Sequence, residues 1–212
     1  MTTLAVMKQR IADELARSDL TPMIAYAISD AIKRYQSKRF YFNESRDVTF
    51  DTVAAQEFYD QYDHSAIPNL MEIDYIKLVN GSIYWDINRV IPEAMEVYNA
   101  ASGQPYSYTY YAQQLRFYPI PDAVYSIVVA AQIKIDEPAS DTELNNIWMT
   151  DAEQLIRARS KINLARNVNA SGLDPAFSKE AILIFKDEEK DALDELRSRT
   201  TLQVGTGKIK SY

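Results

Sequence analysis

The fold class is decided by residues 73–85, which read Ile-Asp-Tyr-Ile-Lys-Leu-Val-Asn-Gly-Ser-Ile-Tyr-Trp. Every second residue from Ile73 to Val79 falls on one face of an extended chain. Asn80-Gly81 then separates this run from a second apolar run, residues 82–85. Asn-Gly between two such runs is a strong hairpin signal, because both positions of a tight turn adopt positive φ. The stretch therefore predicts an antiparallel β-hairpin.

Further strands are predicted on both sides of this hairpin. Two-residue alternation begins near residue 46, with Val48 and Phe50 on one face. A short helix is predicted after the hairpin, over residues 91–98. Three more alternating runs follow it: a tyrosine-rich run from Tyr106, a run with Leu115 and Phe117, and residues 125–135. Such alternation is typical of an antiparallel sheet with one buried face.

Amphipathic helices are predicted before and after these strands. Thr2 or Thr3 caps the first helix, and Thr21 caps the second, with Pro22 in its first turn, where the missing N–H costs no hydrogen bond. Two more helices are predicted over residues 145–169 and 175–198, because apolar residues recur there every three or four positions.

The predicted fold class is α+β, with a four-helix core formed by both chain ends, an inserted antiparallel β module and an extended C-terminal tail. The core is built from an N-terminal helix pair, residues 1–45, and a C-terminal helix pair, residues 139–199. The β-rich insert with its short helix covers residues 46–138. The tail covers residues 200–212.

The composition excludes several classes of active site. The chain has 212 residues, with no cysteine, one histidine and 5 glycines. The lack of cysteine excludes disulfides, thiolate metal sites and cysteine nucleophiles, and one histidine excludes a histidine-rich metal cluster. The strongest apolar run, residues 127–131, is far shorter than the roughly 20 residues that cross a bilayer. We predict no membrane association, no cofactor and no metal.

Three groups of residues are candidate sites of chemistry. His64 lies between Asp63 and Ser65, but triads are assembled in space rather than from consecutive loop residues. Asp122 and Lys134 resemble a degenerate nuclease signature, yet a strand of about twelve residues would hold them roughly 40 Å apart. The acidic pair Glu72 and Asp74 shares one strand face and is interpreted as solvated.

Charge and aromatic residues indicate interaction surfaces instead. The net charge is −7, but residues 197–212 contain 4 basic and no acidic side chains. Alternating apolar residues in the tail predict that it adds a strand to a partner's sheet, and the alternative is a disordered terminus. The chain also has 15 tyrosines. We interpret four of them as subunit- or tail-interface residues, where a ring is buried and its hydroxyl stays wet: Tyr106, Tyr108, Tyr110 and Tyr118.

Several motifs together resemble the head–tail connector (adaptor) proteins of tailed bacteriophages. They are Gly103-Gln104-Pro105, the tyrosine-rich strand, the run Leu-Arg-Phe-Tyr-Pro-Ile-Pro-Asp at residues 115–122, and the apolar strand that ends near Pro138. The upstream segments 49–52 and 56–60 and the helix pair after Pro138 follow the same order as in that family. The resemblance extends from about residue 15 to about residue 195. Ala112 departs from it, since a glycine is commoner at that turn.

The resemblance implies a structural phage neck protein without enzymatic activity. Such adaptors form a homo-oligomeric ring, usually of twelve copies, that docks under the portal vertex and extends the channel through which double-stranded DNA passes. They also provide the attachment surface for the next neck or tail protein. The implied location is the neck of the virion, after assembly in the host cytoplasm. A metal-dependent nuclease or other DNA-processing protein remains the alternative.

The resemblance also implies a role for the tail, because the C-terminal segment of related adaptors reaches into the portal protein. We therefore predict that the basic, extended end of this chain carries portal docking. The predicted portal-binding residues are Arg199, Leu202, Val204, Lys208, Ile209, Lys210 and Tyr212.

Overall fold

The computed structural model describes residues 2–168 and 174–204 of the chain. It divides into two compact units. The helical unit consists of the chain up to Phe42 and from Asp136 onward, and the β unit is Asn43–Ile135. The α+β class predicted from the sequence is confirmed.

The described residues contain six α-helices. Four of them are long enough to form packed layers, and no helix in the described part of the chain is both long and apolar enough to span a membrane. The helices are α1 (Leu4–Glu14), α2 (Thr21–Gln36), α3 (Pro92–Met95), α4 (Ile147–Thr150), α5 (Glu153–Val168) and α6 (Lys179–Val204).

Two helix caps were predicted from the sequence, and the structure confirms the one at α1 but not the one at α2. The Thr3 side chain accepts a hydrogen bond from the Val6 N–H and caps α1, as expected. For α2 the predicted cap residue, Thr21, is wrong by one position. Leu20 occupies the cap without a side-chain bond, and the Thr21 hydroxyl instead donates to the Ser18 carbonyl. Pro22 lies in the first turn, where its missing N–H is harmless.

Helix α5 is the central element of the helical unit, since it packs against α1, α2 and α6. Nine of its 16 residues are buried, among them Arg159 and Lys161. The single helix predicted from residue 145 is in fact two. Asn145 has a positive φ of 62°, and the Asn146 side chain caps the short α4 before α5 begins.

The last helix differs from the prediction at both ends. Asp174 caps a short 3-10 turn over Pro175–Phe177, and α6 begins only at Lys179. At its other end α6 continues to Val204, so residues 200–204 are helical rather than part of an extended tail. The remaining tail residues, 205–212, lie outside the described residues.

The β unit contains one curled seven-stranded sheet. Its order is β1-β7-β3-β4-β5-β6-β2, and the pairing is antiparallel except between β4 and β5. The strands are β1 (Glu44–Asp51), β2 (Phe58–Tyr59), β3 (Leu70–Asn80), β4 (Ile83–Arg89), β5 (Ser107–Tyr111), β6 (Gln114–Tyr118) and β7 (Ser126–Ile133).

The hairpin of β3 and β4 forms as predicted, but its turn is shifted by one residue. Asn80 pairs with Ile83, which leaves Gly81 and Ser82 as the two turn residues. Of these, Gly81 has the positive φ, 62°. Positive φ at the first turn position alone is the pattern of a type II′ turn, which favours glycine there.

The buried face of β3 also differs from simple alternation. The pairing of β3 with β7 shifts register between Ile73 and Tyr75. Because a bulge inserts one extra residue, Ile73 and Ile76 both reach the core, whereas Tyr75 is exposed. Residues of β1, β3, β6 and β7 line this core, together with the ring of Tyr59.

Candidate interaction surfaces

The four tyrosines predicted at an interface have different environments. Tyr108 is only 3% exposed and belongs to the core of the β unit, so its ring is already covered within the subunit. Tyr110 is partly buried, and its hydroxyl donates to the Ile67 carbonyl at 2.8 Å. Tyr106 is 54% exposed. Its ring packs edge-on against Tyr118, with 5.7 Å between centroids.

Tyr106 and Tyr118 form a small aromatic cluster with Tyr98. The Tyr98 and Tyr118 ring centroids are 4.5 Å apart. Desolvation raises the pKa of Tyr106, and the neighbouring Tyr118 and Tyr98 add to the effect. The cluster therefore offers neutral, half-covered aromatic surface, which is enriched at protein interfaces.

The outer half of β4 is a second apolar surface, and it was not among the predicted interface residues. Ile83, Tyr84 and Trp85 are 57%, 62% and 36% exposed, although they are consecutive in one strand. A strand with one covered face normally alternates apolar with polar residues. Three consecutive large apolar residues place apolar side chains on both faces of this strand. That run was the signal in the sequence that another protein segment can cover it.

A third surface surrounds Arg116 on β6. Its guanidinium lies 5.4 Å from the centroid of the exposed Phe58 ring. It also contacts Glu57 at 2.6 Å and Glu96 at 2.7 Å. A cavity of about 90 Å³ opens beside it, lined in part by Phe58 and the exposed Tyr111. Aromatic and arginine side chains of this kind dominate binding energy at protein interfaces.

The predicted portal-binding residues fall partly on α6. Arg199 pairs with Glu195, and hydrogen bonding to Tyr41 raises the pKa of its guanidinium. Leu202 is strongly exposed near the end of the helix. Val204 is the last helical residue. Lys208, Ile209, Lys210 and Tyr212 lie outside the described residues.

The residues considered for catalysis do not converge. His64 Nδ1 accepts a hydrogen bond from the Ala66 N–H at 3.1 Å, which is a local turn contact. Asp122 accepts from the Tyr125 hydroxyl, and Lys134 lies beyond the opposite end of β7. Across residues 2–168 and 174–204, no group of three or more histidine or acidic side chains is arranged to hold a metal.

The helical unit contains a cluster of buried charges that the sequence pattern did not predict. Lys161 Nζ lies 2.8 Å from Glu14 Oε2 and 2.6 Å from Glu188 Oε2. Arg159 pairs with Glu189, which also accepts from the Tyr35 hydroxyl. These contacts join α5 to α1 and α6, and α2 to α6, so they fix how the helices pack rather than offering a binding site.

A family model described as SU10 adaptor protein matches residues 2–207. No curated protein matches the chain. The matched range contains all of the described helices and strands.

Proposed function

Because the chain belongs to the SU10 adaptor protein family, a phage head–tail adaptor family, we propose that it docks as a ring beneath the portal vertex. In this proposal the ring contains twelve copies, extends the DNA channel and carries the next neck or tail protein. The protein is structural, belongs to the neck of the virion and is assembled in the host cytoplasm. The match over residues 2–207 is the observation that carries the proposal.

The surfaces of the β unit support a role in assembly. A ring subunit needs two different contact surfaces for its neighbours and further surface for the proteins above and below it. The aromatic cluster of Tyr98, Tyr106 and Tyr118 and the surface around Arg116 supply such side chains. We assign Tyr106 and Tyr118 to contacts with a neighbouring subunit or tail protein.

The helical unit supports the proposed core and the portal contact. Helix α5 packs against α1, α2 and α6, which is the contact pattern expected of a four-helix core. Beyond it, α6 carries the exposed Leu202 towards the basic residues 205–212. We propose that Arg199, Leu202 and the residues after Val204 dock into the portal protein. Arg199 would then exchange part of its contact with Glu195 for a portal acceptor.

The acidic character of the chain is compatible with DNA passage. The net charge of −7 disfavours a grip on the phosphate backbone, because such a grip requires several clustered lysines or arginines. Acidic subunits around the channel would let DNA slide past without binding.

The experiment is co-assembly with the purified portal protein, measured by light scattering after size exclusion and by particle images. The full chain should join portal particles as a ring. A variant ending at Val204 should keep its helical circular dichroism and lose portal binding. The matched control replaces Glu93, an exposed acid of the β unit, by glutamine and should bind normally.

A chain that stays monomeric and never joins portal particles would contradict the ring proposal. Unchanged binding of the truncated variant would contradict the docking role of residues 205–212.

A further inference from the structure

One edge of the outer half of β4, residues 83–87, pairs with no other strand in the described part of the chain. Asn80 and Ile83 close the hairpin as a bonded pair, so alternate residues Trp85 and Ile87 direct their backbone groups towards β3. The intervening residues, Tyr84 and Asp86, direct theirs to the opposite side. The Asn88 N–H confirms this orientation, since it donates away from β3 to the Tyr106 carbonyl at 2.9 Å.

Strand β5 covers only the inner end of this edge. The pairing of β4 with β5 begins at Asn88, so it does not reach Tyr84 or Asp86. Within residues 2–168 and 174–204, no backbone hydrogen bond to the N–H or C=O of these two residues is found on this side. An open edge flanked by exposed apolar side chains is a template for another strand.

We propose that residues 205–212 of a second copy of this chain add as a strand to the open edge of β4. Five of these residues, Lys-Ile-Lys-Ser-Tyr at 208–212, match the five-residue length of the open stretch 83–87. They alternate between faces when extended, as a paired strand requires. The pairing covers an edge that would otherwise promote aggregation.

Charge complementarity favours this occupant. Residues 205–212 contain two lysines and no acidic side chain. The β unit, residues 43–135, contains 12 acidic and 5 basic side chains, a net charge of −7. The Asp86 carboxylate is largely exposed, and its contact with Lys77 is loose at 3.7 Å. A lysine of the added strand can therefore approach it.

The side chains also match by face. Trp85 and the buried Ile87 share one face of β4, whereas Tyr84 and Asp86 share the other. An added strand that places Ile209 beside Trp85 puts Lys208 and Lys210 on the face of Tyr84 and Asp86. Lysine then meets a carboxylate and the face of a tyrosine ring, and both contacts are favourable.

This pairing and portal docking use the same segment at different stages. In the free protein residues 205–212 cover β4 of another copy, and the portal withdraws them on docking. The inference concerns the free protein and therefore stands or falls without any portal present. Its failure would leave the portal-docking proposal intact, and the reverse also holds.

The test is amide hydrogen exchange of the full chain and of the variant ending at Val204, with no portal present. The Tyr84 and Asp86 amides should exchange about tenfold more slowly in the full chain, because only the added strand protects them. Trp85 and Ile87 bond to β3 and serve as internal controls whose exchange should not differ. Protection should rise with protein concentration, since the strand comes from a second copy.

Charge variants test the same contact in chains that keep residues 205–212. Asp86→Lys should remove the protection of Tyr84 because it repels the lysines of the added strand. Glu93→Lys changes the net charge by the same amount elsewhere in the β unit and should leave the protection unchanged. A fluorescein-labelled peptide of residues 200–212 should bind the truncated chain and restore protection.

Three results would overturn the inference. The first is equal exchange of Tyr84 and Asp86 in the full and truncated chains over the whole concentration range. The second is protection that does not depend on concentration, because it would place the added strand in the same copy. Loss of protection in Glu93→Lys to the same degree as in Asp86→Lys would likewise exclude the specific contact.

Discussion

Replacing Lys161 by methionine should destabilise the helical unit by about 2 kcal/mol. The ammonium group is almost fully buried and contacts Glu14 and Glu188 at 2.8 Å and 2.6 Å. It also lies 4.6 Å from the centroid of the Phe185 ring. Methionine keeps the length of the side chain and its apolar packing, so the change removes mainly the charge and its hydrogen bonds.

The magnitude follows from the unequal burial of the three partners. Breaking a fully buried ion pair costs about 3–5 kcal/mol, and an exposed pair contributes about 0–1 kcal/mol. The Lys161 side chain is 4% exposed, whereas Glu14 and Glu188 are 35% and 46% exposed. Once the cation is removed, water can hydrate both carboxylates, so the expected cost lies between these limits.

Removing the two carboxylates should cost more stability than removing the buried cation. Glu14→Gln combined with Glu188→Gln leaves the buried ammonium without a carboxylate, and water cannot reach it. The double variant should therefore lose about 3–5 kcal/mol, more than Lys161→Met. Glu14 also contacts Arg157 at 3.3 Å, so each single variant should be measured as well.

The assay is urea unfolding followed by tryptophan fluorescence. The chain has two tryptophans, Trp148 in the helical unit and Trp85 in the β unit. In a Trp85→Phe background, the buried Trp148 reports on the helical unit alone, which avoids treating both units as one transition. Lys8→Met serves as the matched control, because Lys8 pairs with the exposed Asp141 and should cost under about 1 kcal/mol.

Either of two results would contradict the predicted contribution of Lys161 to stability. The first is Lys161→Met as stable as the parent chain, since the cation would then contribute nothing to packing. The second is a double glutamine variant more stable than Lys161→Met, which would reverse the predicted asymmetry. A changed denaturant slope would instead indicate an altered unfolded or native state, and the free energies would then be compared by thermal unfolding.

Three further predictions concern local structure. Ala112 and Gln113 form the β5–β6 turn with φ of 51° and 63°, and Asn-Gly is favoured where both turn residues have positive φ. The double variant Ala112→Asn, Gln113→Gly should therefore be more stable by about 1 kcal/mol, and calorimetry should show Tm raised by about 2–4 °C. Asn146→Ala removes the cap that accepts from the Trp148 N–H at 3.2 Å and should cost about 1 kcal/mol in the same urea assay, and an unchanged midpoint would contradict the capping role. Burial, with the hydrogen bond to Glu189, raises the pKa of Tyr35 to about 12. The folded state therefore holds this proton more tightly than the unfolded state, whose tyrosine pKa is about 10, and the free energy of unfolding should fall as pH rises from about 10 to about 12. Tyr35→Phe should make that decline shallower, and an identical pH profile would contradict the assignment.

The hairpin of β3 and β4 shows which features a short sequence motif can predict and which it cannot. Asn80-Gly81 correctly located the reversal of the chain, because the favoured two-residue hairpin turns need at least one residue with positive φ, here Gly81. It did not identify the turn residues, Gly81 and Ser82, since register depends on pairing with the partner strand. The bulge after Ile73 likewise arises from pairing with β7, which is about 50 residues away in sequence.

The candidate interaction surfaces were likewise predictable from the sequence only in part. The tyrosine pattern indicated interface material, but periodicity could not separate the core residue Tyr108 from the exposed Tyr106. The open edge of β4 could not be predicted, because it depends on where β5 begins to pair. Its only local signal was the consecutive run of Ile83, Tyr84 and Trp85.

The sequence by itself determined the order of helices and strands and hence the α+β class, because periodicity, caps and turn residues act within a few positions of the chain. Only the tertiary structure decided which groups are buried. Arg159 and Lys161 are charged residues that a local pattern places at a solvated surface, yet both are buried in α5. They are stable there because Glu14, Glu188 and Glu189 approach from α1 and α6. A buried charge requires a partner, and these partners come from parts of the chain that meet only after folding.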